Sequence, residues 1–233
     1  MFKTILIQLI RKRNPQFEMD SAVNSYLLQA FIQQQFWCLL RGFRTLLWFR
    51  LPKGLMLGEG VRFFNIPRIH YGRFLRLGSH VYVSALGRQG VEFGHNVSIG
   101  AFSRIVVSTS LHHLGVGIRI GNHVGIGEYA YLGGGGGLEI GDECIVGQYF
   151  SCHPENHQFG DLATAIRFQG VTRKGIKVGS NCWIGSKVTL LDGVELGEGC
   201  VVAAGSVVTQ SFPANSVIGG VPAKLLKKRT HEK

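Results

Sequence analysis

Residues 151–175, SCHPENHQFGDLATAIRFQGVTRKG, hold two histidines four positions apart, His153 and His157. Free imidazole titrates near pH ~6.5, so around neutrality it is ready to take a proton from a reacting group. A hydroxyl is a poor nucleophile until its proton leaves as the new bond forms, and a histidine suits that task. The second ring nitrogen needs an acceptor to fix the tautomer. Glu155 and Asp161 are near enough in sequence, and a backbone carbonyl would serve equally. The same residues allow other readings. Zinc takes three protein ligands and keeps an open position; His153 and His157 would supply two, with His123 or His113 as the third. A histidine in a surface loop also often has no chemical role.

The element that must position this stretch is a repeat. Val178, Ile184, Leu190, Leu196, Val202 and Val208 stand six residues apart, with Gly179, Gly185 and Gly197 directly after three of them. Cys182, Val188, Val194, Cys200 and Ser206 keep small or thin side chains four places on. A period of six fits neither an amphipathic helix nor a simple strand. It fits a chain that turns a corner every six residues, so three sides close a coil of about 18 residues and stacked coils bury a column of apolar side chains. Earlier anchors in the same style are Leu77, Phe93, Ile99, Ile105, Ile120, Ile126, Leu132, Ile140 and Val146. The phase slips between Ile105 and Ile120, between Leu132 and Ile140, and across 153–177. Most of the 33 glycines read as corner residues that need positive φ or close backbone approach. The run Gly133 to Gly137 predicts a corner with little side-chain packing.

The stretch VGSNCWIGSKVTLLDGVELGEGCVVAAGSVVT, followed by VIGGVPAKLLKKR at 217–229, resembles the hexapeptide-repeat acyltransferases, in their sugar and polysaccharide O-acetyltransferase branch. The resemblance covers roughly residues 77–229. It implies an all-β solenoid, a left-handed parallel β-helix; general chirality rules alone would favour the opposite hand. It also implies acetyl-CoA as acyl donor, direct attack by a sugar hydroxyl, and neither a metal nor a covalent enzyme intermediate. In that family a histidine at this point is the general base. His157, in Asn156-His157-Gln158-Phe159, aligns best with it, and His153, just before Pro154, is second. By the same resemblance Trp183 and Ser186 line the pantetheine arm, Ala204 and Gly205 meet it with their backbone, and Thr209 and Lys224 lie near the nucleotide end. The family often has lysine after that threonine, where this chain has Gln210. For Ser186, Ala204 and Thr209 simple coil packing is an equal reading. The family is typically homotrimeric, with active sites between subunits.

Composition narrows the rest. The net charge is +11 and the pI about 9.7, yet no nucleic-acid module or basic stripe interleaved with aromatics is recognisable. The excess gathers at the ends: Lys3, Arg11, Lys12, Arg13, Arg41, Arg44 and Arg50, then Lys224, Lys227, Lys228 and Arg229. The five cysteines read as packing thiols in a reducing compartment. Residues 1–60 read as a helical, basic and aromatic arm, residues 61–220 as the coil with an inserted loop at 153–177, and residues 221–233 as a short C-terminal helix with a basic tail. The arm has no apolar run of membrane-spanning length, and its basic group follows the first apolar residues, the wrong order for a signal peptide. It either packs on protein or lies at a membrane surface, which places the chain in the cytoplasm or at the inner membrane face. Three rival functions stay open: N-acetylation of an amino sugar, a zinc-dependent γ-class carbonic anhydrase, and a non-catalytic scaffold.

Overall fold

The structure, a computed structural model, describes residues 2–11 and 16–230. The chain divides into two compact units, one ending at Trp37 and one running from Cys38. The first holds helix α1 (Phe2–Arg11) and most of α2 (Ser25–Gly42). Asn24 starts α2 as an N-cap, its Oδ1 accepting the Leu27 N–H at 2.9 Å. Apolar side chains fall on all sides of this helix, and Tyr26, Leu27, Phe31, Phe36 and Trp37 are exposed. Among the described residues no helix is long and apolar enough to cross a membrane. Lys12 and Arg13 of the basic cluster lie outside the described residues.

The second unit opens with the last turn of α2 and a 3-10 helix, Phe43–Trp48, which together cover the first coil. Gly42 ends α2 where the Leu55 carbonyl oxygen comes within 2.0 Å of the place a Cβ would take. Arg44 donates to the Val61 carbonyl at 2.6 Å and lies over the Phe63 ring, and burial lowers its pKa. Arg50 donates to the carbonyls of Ile69 and Pro67. Two of the N-terminal arginines are therefore bolts into the coil, and for residues 38–50 packing on protein is the reading the structure supports. The regular coil begins at Met56, five residues earlier than the pattern suggests.

From Met56 the chain winds as a prism whose three faces are parallel sheets. The first face starts with Met56–Leu57 and has eight parallel strands plus one antiparallel strand at its end, the second starts with Arg62–Phe64 and has seven, and the third starts with Ile69–Tyr71 and has six. Sides this short leave one inward residue each. Leu57, Leu77, Ile99, Ile126, Val146, Ile184, Val202 and Ile218 fill the column behind the first face, and all are buried. Val178, Leu190, Leu196 and Val208 are buried as their spacing predicts. Shortening one of these anchors by a methyl group, Ile184→Val, is expected to cost about 0.5–1.5 kcal/mol, read from urea unfolding at unchanged slope.

The corners hold glycine for both expected reasons, and other residues besides. Left-handed φ is shared between glycines, among them Gly60, Gly199 and Gly205, and non-glycine residues, His80, Phe102, Tyr129 and Tyr149 at one corner and Asn96, His123, Glu143 and Asn181 at another. The glycines directly after the anchors serve close approach instead: a Cβ on Gly185 would meet Ala204 N at 2.6 Å. His80, Phe102, Tyr129 and Tyr149 form one stack with ring centroids 5.1–5.2 Å apart. Cys144, Cys182 and Cys200 are buried in successive coils, and their thiols donate to the carbonyls of Gly179, Gly197 and Pro213.

The coil of 18 residues is realised where Trp183 pairs with Val201. Elsewhere Met56 pairs with Arg76 and Gly125 with Ile145, twenty residues on. The two extra residues fall between the second and third faces. That corner is the permissive one, and residues 154–175 also leave from it, between the strands Ser151–His153 and Ile176–Val178.

The C-terminus corrects the sequence reading. Ala223–Lys228 is a strand, not a helix, and it pairs antiparallel with Ser216–Gly220. The top strand of the first face would otherwise present open N–H and C=O groups. Gly220, at φ 103°, permits the tight return that covers them. Such an edge exists only once the coil is stacked, so local spacing could not reveal it. Residues 231–233 lie outside the described residues.

Candidate active site

The inserted stretch is a fastened projection. Asn156–His157 pairs antiparallel with Val171–Thr172, placing His157 opposite Val171. Its base rests on three glycines of the run: Cβ atoms at Gly133, Gly135 and Gly136 would lie 3.0, 2.5 and 2.2 Å from Pro154 Cδ, Glu155 Oε2 and Pro154 O. The corner expected to be loosely packed is thus a close-fitting seat, and the glycines are bare because the projection lies on them. Arg173 ties the two limbs, its Nε 3.1 Å from Glu155 Oε2 and its Nη1 donating to the Leu114 carbonyl at 3.3 Å. At the returning end Asp192 Oδ1 accepts the N–H groups of Lys174 and Gly175, at 2.8 and 2.9 Å. Farther out, Gln169 Nε2 donates to the carbonyls of Asp161 and Thr164.

Both carboxylates considered as histidine partners are turned elsewhere. Glu155 faces Arg173. Asp161 accepts hydrogen bonds from the Thr164 hydroxyl and the Ala163 N–H, which hold its carboxyl below the usual range. His153 sits at the end of its second-face strand, exposed, with its ring stacked on Tyr131 at 5.4 Å and 19°. His157 is exposed on the hairpin.

The residues singled out for the acyl donor fall in two groups. Ser186, Ala204 and Gly205 share the corner between the first and second faces. Ser186 Oγ donates to Gln148 Oε1 at 2.9 Å, Gly205 N–H donates to the Ser186 carbonyl, and Ala204 occupies the space left by Gly185. Gly205 is at φ 72°, and nothing lies within 4 Å of its Cβ direction, so this end of the corner is open. Thr209 follows Val208, which pairs with Leu190, and His153 pairs with Leu191. Thr209 and His153 therefore sit at the same end of the second face, two strands apart. Trp183 and Lys224 belong to the first face. Trp183 points outward between Ile145 and Val201, 59% exposed beside an Ile145 that is 66% exposed. Lys224 lies opposite Gly219 on the returning strand. Of the C-terminal cations, Lys228 donates to the Ala214 carbonyl and Arg229 to that of Gly199, so Lys224 and Lys227 are the ones left facing out.

Well-formed concavities lie elsewhere. Two cavities of about 710 and 280 Å³ open on the third face, lined by Arg119, Glu139, Lys177 and Glu195. They hold neither of the two candidate histidines, and their charges largely answer one another: Arg119 pairs with Glu92 at 3.4 Å and Lys177 with Glu195 at 3.3 Å. His153, His157, Trp183, Ala204 and Lys224 instead lie exposed on outer surface. Among the described residues no three His, Cys, Asp or Glu side chains converge as metal ligands.

Comparison with known proteins agrees with this architecture. The bacterial transferase hexapeptide (six repeats) family matches residues 175–210. WbbJ of Escherichia coli, named as a lipopolysaccharide biosynthesis O-acetyl transferase, is 31% identical over 150 residues, covering 61% of this chain and 74% of WbbJ. The chain belongs to the hexapeptide-repeat acetyltransferases. A Mycobacterium tuberculosis protein named as an acetyltransferase is 29% identical over 203 residues, 83% of this chain, and the chain spans only 58% of that relative's length. A Vibrio cholerae hexapeptide-repeat acetyltransferase, crystallised with acetyl-coenzyme A, superposes with a TM-score of 0.50 at 28% identity, over 58% of this chain and 69% of that one.

Three supporting residues escaped the sequence reading. Asp192 and Tyr131 act through contacts between coils and Arg173 through Glu155 on the opposite limb and Leu114 on the coil, and nothing in their local sequence distinguishes them from ordinary corner and surface residues.

Proposed function

We propose that this chain transfers an acetyl group from acetyl-CoA to a hydroxyl of a surface polysaccharide or its sugar precursor, with His157 as general base. The observation carrying this reading is the fastened hairpin: an exposed imidazole stands on a projection seated on three glycines, on a scaffold whose neighbouring corner is bare at Gly205. Holding a base steady in this way is what proton removal during attack requires.

The donor supplies a thioester carbonyl to the attacking hydroxyl. The residues present fit it: Gly205 leaves room for a narrow arm, Trp183 gives it an apolar wall, and Lys224 offers an exposed ammonium for phosphate. His157 takes the hydroxyl proton as the new C–O bond forms, and afterwards returns it to the leaving thiolate. An N–H at a coil corner steadies the oxyanion. Glu155 serves in this reading through Arg173, keeping the hairpin limbs together. His153, backed by Tyr131, is the second candidate base.

Both groups of residues stand on open surface, which supports a homotrimer in which a second copy closes each site. The all-round apolar surface of α2 supports burial against another copy more than contact with a membrane, because an interfacial helix wets one side only.

Saturating coenzyme A at about a hundred times its Kd should stabilise the fold by about 2.7 kcal/mol, seen as a rise in Tm. Lys224→Gln should weaken coenzyme A binding roughly tenfold in calorimetry, the order expected for a hydrogen bond to a charged group. No Tm rise with saturating ligand would remove the acyl-transfer reading.

A further inference from the structure

The outward column of the second face reads Arg62, Tyr82, Arg104 and Tyr131, one residue per coil, aligned by strand pairing. In register the column runs on to Ser151, and His153, two residues further along that strand, stacks its ring on Tyr131. Arg104 lies over the Tyr82 ring at 5.0 Å. The strands of this face contain no Asp or Glu. Among the described residues neither Arg62 nor Arg104 has an ion-pair partner. The third face makes the contrast, since its outward column sets Glu92, Glu139 and Glu195 between its cations. Coils are about 4.8 Å apart, so Arg104 stands about 10 Å from the strand that carries His153, the second candidate base, and Arg62 about 20 Å. Ten ångströms is roughly the length of two linked sugar rings.

We propose that this stripe is the acceptor track, and that the acceptor is an anionic carbohydrate carrying carboxylate or phosphate groups. The inference rests on the acyl-transfer reading and names its substrate class. Tyrosine faces and edges receive sugar rings, and guanidinium groups take the planar oxyanions in a bidentate fork. The alternation of the two along one line suits a chain that presents a ring and then a charge. A hydroxyl on the terminal ring would then lie beside His153 and the hairpin that carries His157.

Direct binding and acetyl transfer would be measured with three acceptors: a uronic-acid oligosaccharide, a nucleoside-diphosphate sugar and a neutral oligosaccharide of similar length. The expected result is tighter binding of one or both charged acceptors, weakened by salt. Arg104→Gln should raise the Kd and KM for the charged acceptor about tenfold or more, so that its advantage over the neutral one collapses, and Arg104→Lys should recover part of it. Arg62→Gln should matter only for the longer oligosaccharide. The arm that responds identifies whether carboxylate or diphosphate is read. Salt-sensitive glycan binding lost in Arg104→Gln, without any turnover, would keep the track and reject the transferase. Turnover with equal use of neutral and charged acceptors would keep the transferase and overturn the track.

Discussion

Replacing His157 by alanine is expected to lower turnover by roughly 10²–10⁴-fold, the usual worth of a positioned general base. The loss should appear in kcat and kcat/KM together, because the proton moves only as the acyl bond forms. Coenzyme A affinity should stay near the parent value, since the donor residues lie on the coil and not on the hairpin. His153→Ala provides the internal comparison. Its ring rests on Tyr131 at the root of the projection, so a smaller loss is expected there. If His153→Ala shows the large drop and His157→Ala does not, the base is His153. The thiol released from acetyl-CoA gives the readout in both cases.

The second large effect concerns the seat. A Cβ on Gly136 would lie 2.2 Å from the Pro154 carbonyl oxygen and 3.0 Å from Gly175 N, both backbone atoms of the projection. Gly136→Ala must therefore lift or tilt the hairpin, and a displacement near 1 Å at a reacting group can cost about 10²-fold in rate. The coil beneath is held by its own ladders and buried column, so the far-UV spectrum should persist. Gly160 in the outer part of the same projection has nothing within 4 Å of its Cβ direction. Gly160→Ala should therefore behave as the parent protein. Equal activity in Gly136→Ala and Gly160→Ala would show that the seat does not govern the base.

These two variants also mark how far the primary structure could be read. The anchors from Val178 to Val208 announce the coil because each is a local event, one apolar residue per flat side. The projection was visible as a break in that rhythm, and its histidines as its most reactive side chains. Its seat was visible only as five glycines in a row. Whether they were loose or tightly covered depended on Pro154 and Glu155 crossing them, a contact between turns of the prism. The final strand was hidden for a related reason: Ala223–Lys228 answers an open edge at Ser216–Gly220 that exists only after stacking. The stripe on the second face was hidden by its irregular intervals. Arg62, Tyr82, Arg104 and Tyr131 are separated by uneven numbers of residues, because the permissive corner takes up different lengths in each turn. A reader searching for a constant period passes over them.

The N-terminal arginines teach the complementary lesson. Their clustering suggested an anionic surface, yet Arg44 and Arg50 spend their donors on carbonyls of the first coil. Charge counted along a chain does not distinguish a cation that binds a partner from one that closes the end of a solenoid. Arg104 differs by its position, among strands that carry no acid and in line with the tyrosine on which an imidazole stacks.

The most direct measurement is a crystal structure of the protein with coenzyme A, refined for the position of the sulfur. The account predicts the pantetheine arm along the corner formed by Ser186, Ala204 and Gly205, with the sulfur within one bridging water of the His157 ring. A sulfur lodged in the third-face cavity beside Arg119 and Lys177, beyond such reach of either histidine, would contradict it.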